Sequence, residues 1–594
     1  MRGGDLIAEY LIREQVPYVF GLCGHGIVGL MDALGQRADR ITMIGVHHEQ
    51  VAGYMADAYY RVSHRPAATF TSCGPGSVNL TIALACAMMD SSALVAITGN
   101  VPTTQFNRGP FQETYRHHQA DFPSVVAPYV KRSFQVPRPE MLPLALRQAF
   151  KTAATGRPGP VNVDVPLDVF VEEAPAAALP EPGEWWHEID RRPAPSPELA
   201  RRVLDLLTGA ERPVMLVGNG AVLSEASTDI RRLAERLGIP VVNTPQGAGV
   251  MPSDHALSLG VVGRNGTYPA NQAARQADVL LALGARFDDR VSSGWIPGYT
   301  FTIPPTKLVH VDIDAEEIGR NYPVYLGVVA DVKALVSALL DLVGTSSPRR
   351  PEAWLRNVTA WQRDWAQFNE RRYRADAVPI QPEHLIRSLR RAVPRDGIVL
   401  VDVGAHHNWM VQQWPVDQPQ TLLQSWGFAA MGFAVGGVLG AKLAAPDRPA
   451  VAVCGDGGFL MTSNAVATAV EYGIPATWVV WNNSGYVSIR DLQKGAFGKE
   501  TTTMFNRQST GEPFSPDYAM LARAYGADGI CVTAPGDVGD ALTAAVRSGH
   551  PTVVDVAVDP GAAPIATGTW QLPPLEHPEP NYPALVAQTP RARS

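Results

Sequence analysis

A carboxylate and an amide placed at the ends of two consecutive apolar runs carry the clearest chemistry in this 594-residue chain. Gly455-Asp456-Gly457-Gly458 follows a run at 450–454, and Asn482-Asn483 closes a second run, WVVWNN, 26 and 27 residues past Asp456. Glycines at the carboxyl end of a parallel strand let the backbone approach a ligand, and the N-terminus of the next helix favours anionic phosphate. Neighbouring strand ends can bring one carboxylate and one amide oxygen onto a hard divalent cation, as Mg²⁺ on a diphosphate requires. The spacing predicts a metal–diphosphate site. The rival reading is two unrelated turns.

Such a site needs parallel strands to hold it. Runs at 213–218, 240–244, 279–284 and 308–313 are apolar and of strand length, the pattern of strands buried on both faces. Composition breaks at 174–197 (APAAALPEPGEWWHEIDRRPAPSP) and 344–351 (GTSSPRRP) divide the chain into blocks 1–175, 195–345 and 380–560, with a Pro-rich tail at 561–594. The predicted fold class is α/β, with three doubly wound parallel-sheet domains. Segments 65–100 and 448–483 are equal in length and share the pattern strand, Gly-containing turn, helix, strand, so duplication of the outer blocks is expected. Trp354, Val358, Trp361, Trp365 and Phe368 alternate at spacings of four and three, which predicts one packed helix face.

Composition excludes several function classes. With 46% apolar and 18% charged residues the chain is globular, and its net charge of −7 leaves no footprint for nucleic acid or an anionic membrane. Five scattered cysteines without a CxxC pair fit a reducing, cytoplasmic setting and argue against disulfides or structural zinc. The N-terminus reads as an amphipathic helix because Asp5, Glu9 and Glu14 interrupt any signal-peptide core, and no apolar run reaches membrane-spanning length.

GDG followed at this distance by NN resembles the signature of thiamine-diphosphate (ThDP) enzymes, and the three blocks resemble that family's pyrimidine-binding, central and diphosphate-binding domains. The resemblance implies Asp456, Asn483 and the Gly485 carbonyl as Mg²⁺ ligands. It implies Glu49, in VHHEQVAGYMADAYYR, as the carboxyl group on the pyrimidine ring nitrogen, which promotes loss of the thiazolium C2 proton. In Gly427-Phe428-Ala429-Ala430-Met431-Gly432, Met431 would wedge between the cofactor rings and the Ala429 carbonyl would accept from the amino group. His406, in DVGAHH, resembles a diphosphate contact, and Pro75 and Asn79 fall on the pyrimidine side. Gly404, Gly455, Gly457, Gly458 and Tyr486 complete the implied cradle.

Within that family the chain is most similar to acetolactate synthases. Phe20-Gly21-Leu22-Cys23-Gly24 resembles their first strand-turn, and Phe111-Gln112-Glu113 with Lys131 resembles a loop and lysine of the substrate channel. GARFDDRVSSG at 284–294 and VDIDAEEIGRN resemble the central-domain text that accompanies FAD there, with Arg264, Arg290 and Asp312 as implied flavin contacts. The sequence departs at His25, at Leu492 in place of a tryptophan, and at His117-His118. That doublet resembles the proton-relaying pair of some thiamine decarboxylases, or else is surface polarity. The implied activity is decarboxylation of a small 2-keto acid donor, pyruvate, with acyl transfer to a carbonyl acceptor. The alternatives are plain decarboxylation and flavin-linked oxidation. A homodimer or homotetramer with active sites between subunits is implied, with neither nucleic acid nor membrane as partner.

Overall fold

The computed structural model describes residues 1–113, 121–174, 179, 192–345 and 349–566. Apolar runs buried on both faces become strands that need helices above and below, and three such layers form. The first block contributes β1 (Tyr18–Gly21), β2 (Thr42–Gly45), β3 (Ala67–Thr71), β4 (Leu94–Asn100), β5 (Arg132–Gln135) and β6 (Val161–Pro166), in spatial order β2-β1-β3-β4-β6-β5. The central block contributes β7 (Pro213–Val217), β8 (Val241–Asn243), β9 (Ser258–Val261), β10 (Val279–Leu283), β11 (Lys307–Asp312) and β12 (Leu326–Val329). Their order, β12-β11-β10-β7-β8-β9, reverses between β7 and β10, the switch point of a dinucleotide-type sheet. The third block contributes β13 (Ile398–Val401), β14 (Leu422–Gln424), β15 (Ala450–Gly455), β16 (Thr477–Asn482), β17 (Asp528–Val532) and β18 (Thr552–Ala557), in the order β14-β13-β15-β16-β18-β17. Strand for strand, that is the order of the first sheet. Pairing is parallel throughout.

The two outer blocks share one core. Helix Glu49–Ser63 of the first crosses helix Phe433–Ala444 of the third, and Val51, Tyr54, Met55, Phe433, Val438 and Leu439 belong to a single buried cluster. The crossing is close because the second helix presents glycines. A Cβ on Gly440 would stand 1.9 Å from the Met55 carbonyl oxygen, and one on Gly437 would stand 3.3 Å from Ala58 Cβ.

The aromatic stripe packs only in part. In helix Glu352–Arg372, Trp354 and Val358 are buried, and the Trp354 indole donates to the Pro213 carbonyl at 3.2 Å. Trp365 and Phe368 are half-exposed and stack on each other, ring centroids 5.7 Å apart. Of the expected linker, residues 175–178 and 180–191 lie outside the described residues, as do 567–594 of the tail. Among the described residues, no helix is long and apolar enough to cross a membrane.

Adding volume at a closed helix crossing costs about 1–3 kcal/mol. Gly440→Val is therefore expected to lower the calorimetric unfolding midpoint by several degrees, roughly 2–4 °C per kcal/mol in domains of this size. Gly495→Ala, in helix Val487–Phe497 with open space around its Cβ, should hold or raise it. Equal midpoints for the two variants would contradict the packing account.

Candidate cofactor and metal site

Asp456 begins helix Asp456–Thr462 where β15 ends, and its carboxylate joins the two strand ends read from the sequence. Oδ1 accepts from the Gly457 amide at 2.7 Å, while Oδ2 accepts from the amides of Asn483 and Gly485 at 3.2 and 3.0 Å. Burial pushes this carboxyl up to about 6, against the backbone N–H groups that favour its charged form. Asp456, Asn483 and Gly485 line one cavity, so a carboxylate, an amide and a peptide carbonyl are available there as donors. Among the described residues no group of three His, Cys, Asp or Glu side chains could hold a metal. The donor set suits a hard cation that completes its shell with diphosphate oxygens, not one caged by protein alone.

Beside this pair lies a cavity of about 290 Å³ whose walls include Gly404, His406, Met431, Asp456, Asn483 and Tyr486. The glycines set its shape. A Cβ on Gly457 would lie 2.3 Å from the Tyr486 ring, and one on Gly458 would lie 2.3 Å from Asp402 Oδ2. His406 is 2% exposed, and burial lowers its imidazole to about 4, so the ring is neutral near pH 7. Its Nε2 has no partner among the described residues, a polar atom suited to a phosphate oxygen in the cavity. Asp402 accepts from the Gly432 amide at 2.8 Å and so fixes the start of helix Phe433–Ala444. In the turn before that helix Ala429 holds φ +55° and Gly432 φ +87°, and Tyr54 of the first block donates its hydroxyl to the Met431 carbonyl at 3.4 Å. The residues present fit ThDP and Mg²⁺.

In the first block Glu49 opens helix Glu49–Ser63 and is 7% exposed, its Oε2 accepting from Asn79 Nδ2 at 3.0 Å. Gly76 leaves room for it: a Cβ there would sit 3.2 Å from Glu49 Oε1. Pro75 and Asn79 stand exposed on the same side. Gly24, His25, Phe111 and Gln112 gather around Cys73-Gly74. His25 Nε2 lies 3.6 Å from Cys73 Sγ, the Phe111 and His25 rings are 5.7 Å apart, and Gly24 abuts Ser72. Gly74 has φ +54°, and the Gln112 carbonyl oxygen would lie 1.7 Å from any Cβ there, so the close approach requires glycine. His117 and His118 lie outside the described residues.

Two sequence readings need correction. Lys131 does not line a channel: its ammonium donates to the Thr152 and Thr155 carbonyls at 2.6 and 2.7 Å, closing the end of helix Leu142–Ala154. Arg264, Arg290 and Asp312 do not line one cavity. Arg264 and Arg290 line the cradle cavity, whereas Asp312 lines a separate cavity of about 1110 Å³ at the central switch point, with Gly220 and Gly284. The two have no lining residue in common. Among the described residues, none from the first block lines the cradle cavity, so Glu49 stands apart from the cradle of its own chain.

Sequence reasoning missed Trp426, which ties the turn before helix Phe433–Ala444 to the central block. Its indole donates to Asp288 Oδ2 at 2.9 Å, and the Arg290 guanidinium lies 3.7 Å above the ring. It also missed Asp90 and Arg61, which lie inside segment 65–100 and the Glu49 helix but were given no role. A tryptophan inside an otherwise small-residue turn was the one available signal.

Asp456→Ala and Asn483→Ala should each weaken Mg²⁺-dependent ThDP binding by about 100-fold in calorimetric titration, close to 2.7 kcal/mol. Unchanged affinity in both would dismiss the strand-end site.

Known proteins resemble the chain along nearly its whole length. Residues 1–121 match the thiamine pyrophosphate enzyme N-terminal TPP binding domain, 200–339 the central domain and 402–556 the C-terminal TPP binding domain. A probable acetolactate synthase large subunit from Methanocaldococcus jannaschii is 33% identical over 95% of this chain and 93% of its own length. The acetolactate synthase large subunit of Parasynechococcus marenigrum is 35% identical over 94% of this chain and 88% of its own. Acetolactate synthase isozyme 3 large subunit of Escherichia coli is 32% identical over 94% and 95%. With the order of its sheets and the geometry of its strand ends, this places the chain in the thiamine-diphosphate-dependent enzymes, within the acetolactate synthase-like family.

Proposed function

We propose that the protein decarboxylates a small 2-keto acid, pyruvate, and transfers the acyl group to a carbonyl acceptor, as an acetolactate synthase-like carboligase. The observation that carries this reading is a single cavity shared by the diphosphate cradle and two guanidiniums, those of Arg264 and Arg290. Arg290 Nε is buried without a partner, and Arg290 makes no ion pair among the described residues. Burial, then the neighbouring Arg264, bring its guanidinium down to about 10, so it remains charged near pH 7. A buried cation left this way gains from a ligand carboxylate, the group a keto acid brings.

When bound, ThDP supplies a carbanion at the thiazolium C2 and takes up the electron pair released with CO₂. The protein's own part is placement. Asp456, Asn483 and the Gly485 carbonyl would hold Mg²⁺, and His406 Nε2 a diphosphate oxygen. The Ala429–Gly432 turn would set the bend, with Met431 between the rings. Glu49 would share a proton with the pyrimidine ring nitrogen, and His25, Phe111 and Gln112 would border the acceptor.

The central cavity has the size and place for the nucleotide half of FAD, with Asp312 at its edge. Arg264 and Arg290, the implied flavin contacts, line the cradle cavity and not this one. Flavin-linked oxidation therefore draws no support.

Glu49 needs a cradle from elsewhere, and the exposed apolar side chains fit a second copy supplying it. Val78, Ile82 and Met89 lie on helix Pro75–Met89, and Leu460 and Met461 lie beside Asp456. Pairing these faces makes a homodimer, or a homotetramer of two such dimers. Five free cysteines suit a cytoplasmic setting.

With pyruvate and a panel of aldehydes, ketones and keto acids, mass spectrometry should find ThDP-dependent coupled products. Free acetaldehyde alone would replace ligation with decarboxylation. Glu49→Gln should lower turnover at least 100-fold while ThDP still binds. Ile82→Glu with Leu460→Glu should yield inactive monomers in light scattering, and an active monomer would refute the shared site.

A further inference from the structure

A buried ion network in the first block reaches across to the turn that opens the cradle. Arg61, at the far end of the helix that begins with Glu49, donates to both Asp57 oxygens at 2.7 and 2.8 Å and to Asp90 Oδ2 at 3.2 Å. Its Nη1 donates to the Gln424 carbonyl of the third block at 2.7 Å. Asp90 is 1% exposed and accepts two amides from that block, Trp426 N on Oδ2 at 3.0 Å and Gly427 N on Oδ1 at 2.8 Å. Its backbone carbonyl accepts from Asn219 of the central block at 3.0 Å. The segment it holds leads directly into Ala429 and Met431, and its indole is pinned from the central block by Asp288 and Arg290. All three blocks thus meet at Asp90 and Trp426.

We propose that Asp90, supported by Arg61, is a positioning residue for the ThDP cradle of its own chain. It sets the path of the 424–427 backbone, and through it the Ala429 carbonyl and the Met431 side chain. The chemistry favours a carboxylate here. Two adjacent N–H donors need two acceptors, and Asp90 gives one oxygen to each. An amide in its place would turn an NH₂ toward one of those donors, releasing one anchor of the turn. Fixing such a segment matters because misplacement on the scale of 1 Å can cost about 100-fold in rate. The first block would then serve two sites, through Asp90 in its own chain and through Glu49 in the partner copy.

The inference rests on the ThDP reading above, and the experiment separates the two. Holoenzyme saturated with ThDP and Mg²⁺ is assayed for exchange of the bound C2 proton by quenched-flow NMR, for kcat and KM with pyruvate, and for ThDP affinity. Asp90→Asn should slow C2 exchange and kcat at least tenfold, with pyruvate KM little changed and the unfolding midpoint showing a folded protein. Because Asp90→Asn could unfold, Gly427→Ala provides a second variant. Its Cβ would meet Met89 Cβ at 2.7 Å and Asp90 Oδ1 at 3.0 Å, pushing the turn aside while leaving every charge in place. It should show the same fall. Wild-type exchange and turnover in either folded, saturated variant would overturn the proposal. A wild-type enzyme that neither exchanges the C2 proton nor releases CO₂ from pyruvate would instead overturn the functional reading.

Discussion

The structure depends on one close helix crossing, that of Glu49–Ser63 over Phe433–Ala444. Gly436, Gly437 and Gly440 remove the side chains that would hold the two backbones apart. The gain is a common apolar core, and the consequence is registration. Once the helices meet this closely, Tyr54 falls on the Met431 carbonyl and Arg61 on the Gln424 carbonyl. The first block, which holds Glu49, thereby fixes the position of the third, which holds the cradle.

The cradle offers mostly backbone and neutral groups. Asp456 is held by three backbone amides, His406 is kept neutral by burial, and the walls are glycines where a Cβ would collide with Tyr486 or Asp402. A chain of net charge −7 can then hold a diphosphate without a basic surface, since one divalent cation and oriented dipoles suffice locally. In the proposed reading, Arg290, whose buried Nε has no partner among the described residues, would meet the substrate acid group.

Legibility in the sequence followed the range of each constraint. GDG and NN could be read because both lie at the ends of adjacent strands, where β15 and β16 pair residue by residue. Buried parallel strands announce themselves as apolar runs, so the three sheets and their class were readable as well. Glu49 was found through the surrounding text and could not have been found by spacing. What escaped was long-range. Asp90 sits in a plain AMMDSS stretch, 336 residues from the amide it holds, and no local pattern marks it. The split of Arg264 and Arg290 from Asp312 depends on which distant loops wall each cavity, and Lys131 reads alike whether it lines a channel or closes a helix.

The central claim is that Glu49 and Asp456 act together across two copies of the chain. Mixing inactive Glu49→Gln with inactive Asp456→Ala, then letting subunits exchange, tests it most directly. A heterodimer of the two variants would contain one site with both residues intact, so pyruvate turnover should return to about a quarter of the wild-type value under statistical mixing. A mixture that exchanges subunits and stays inactive would contradict the account.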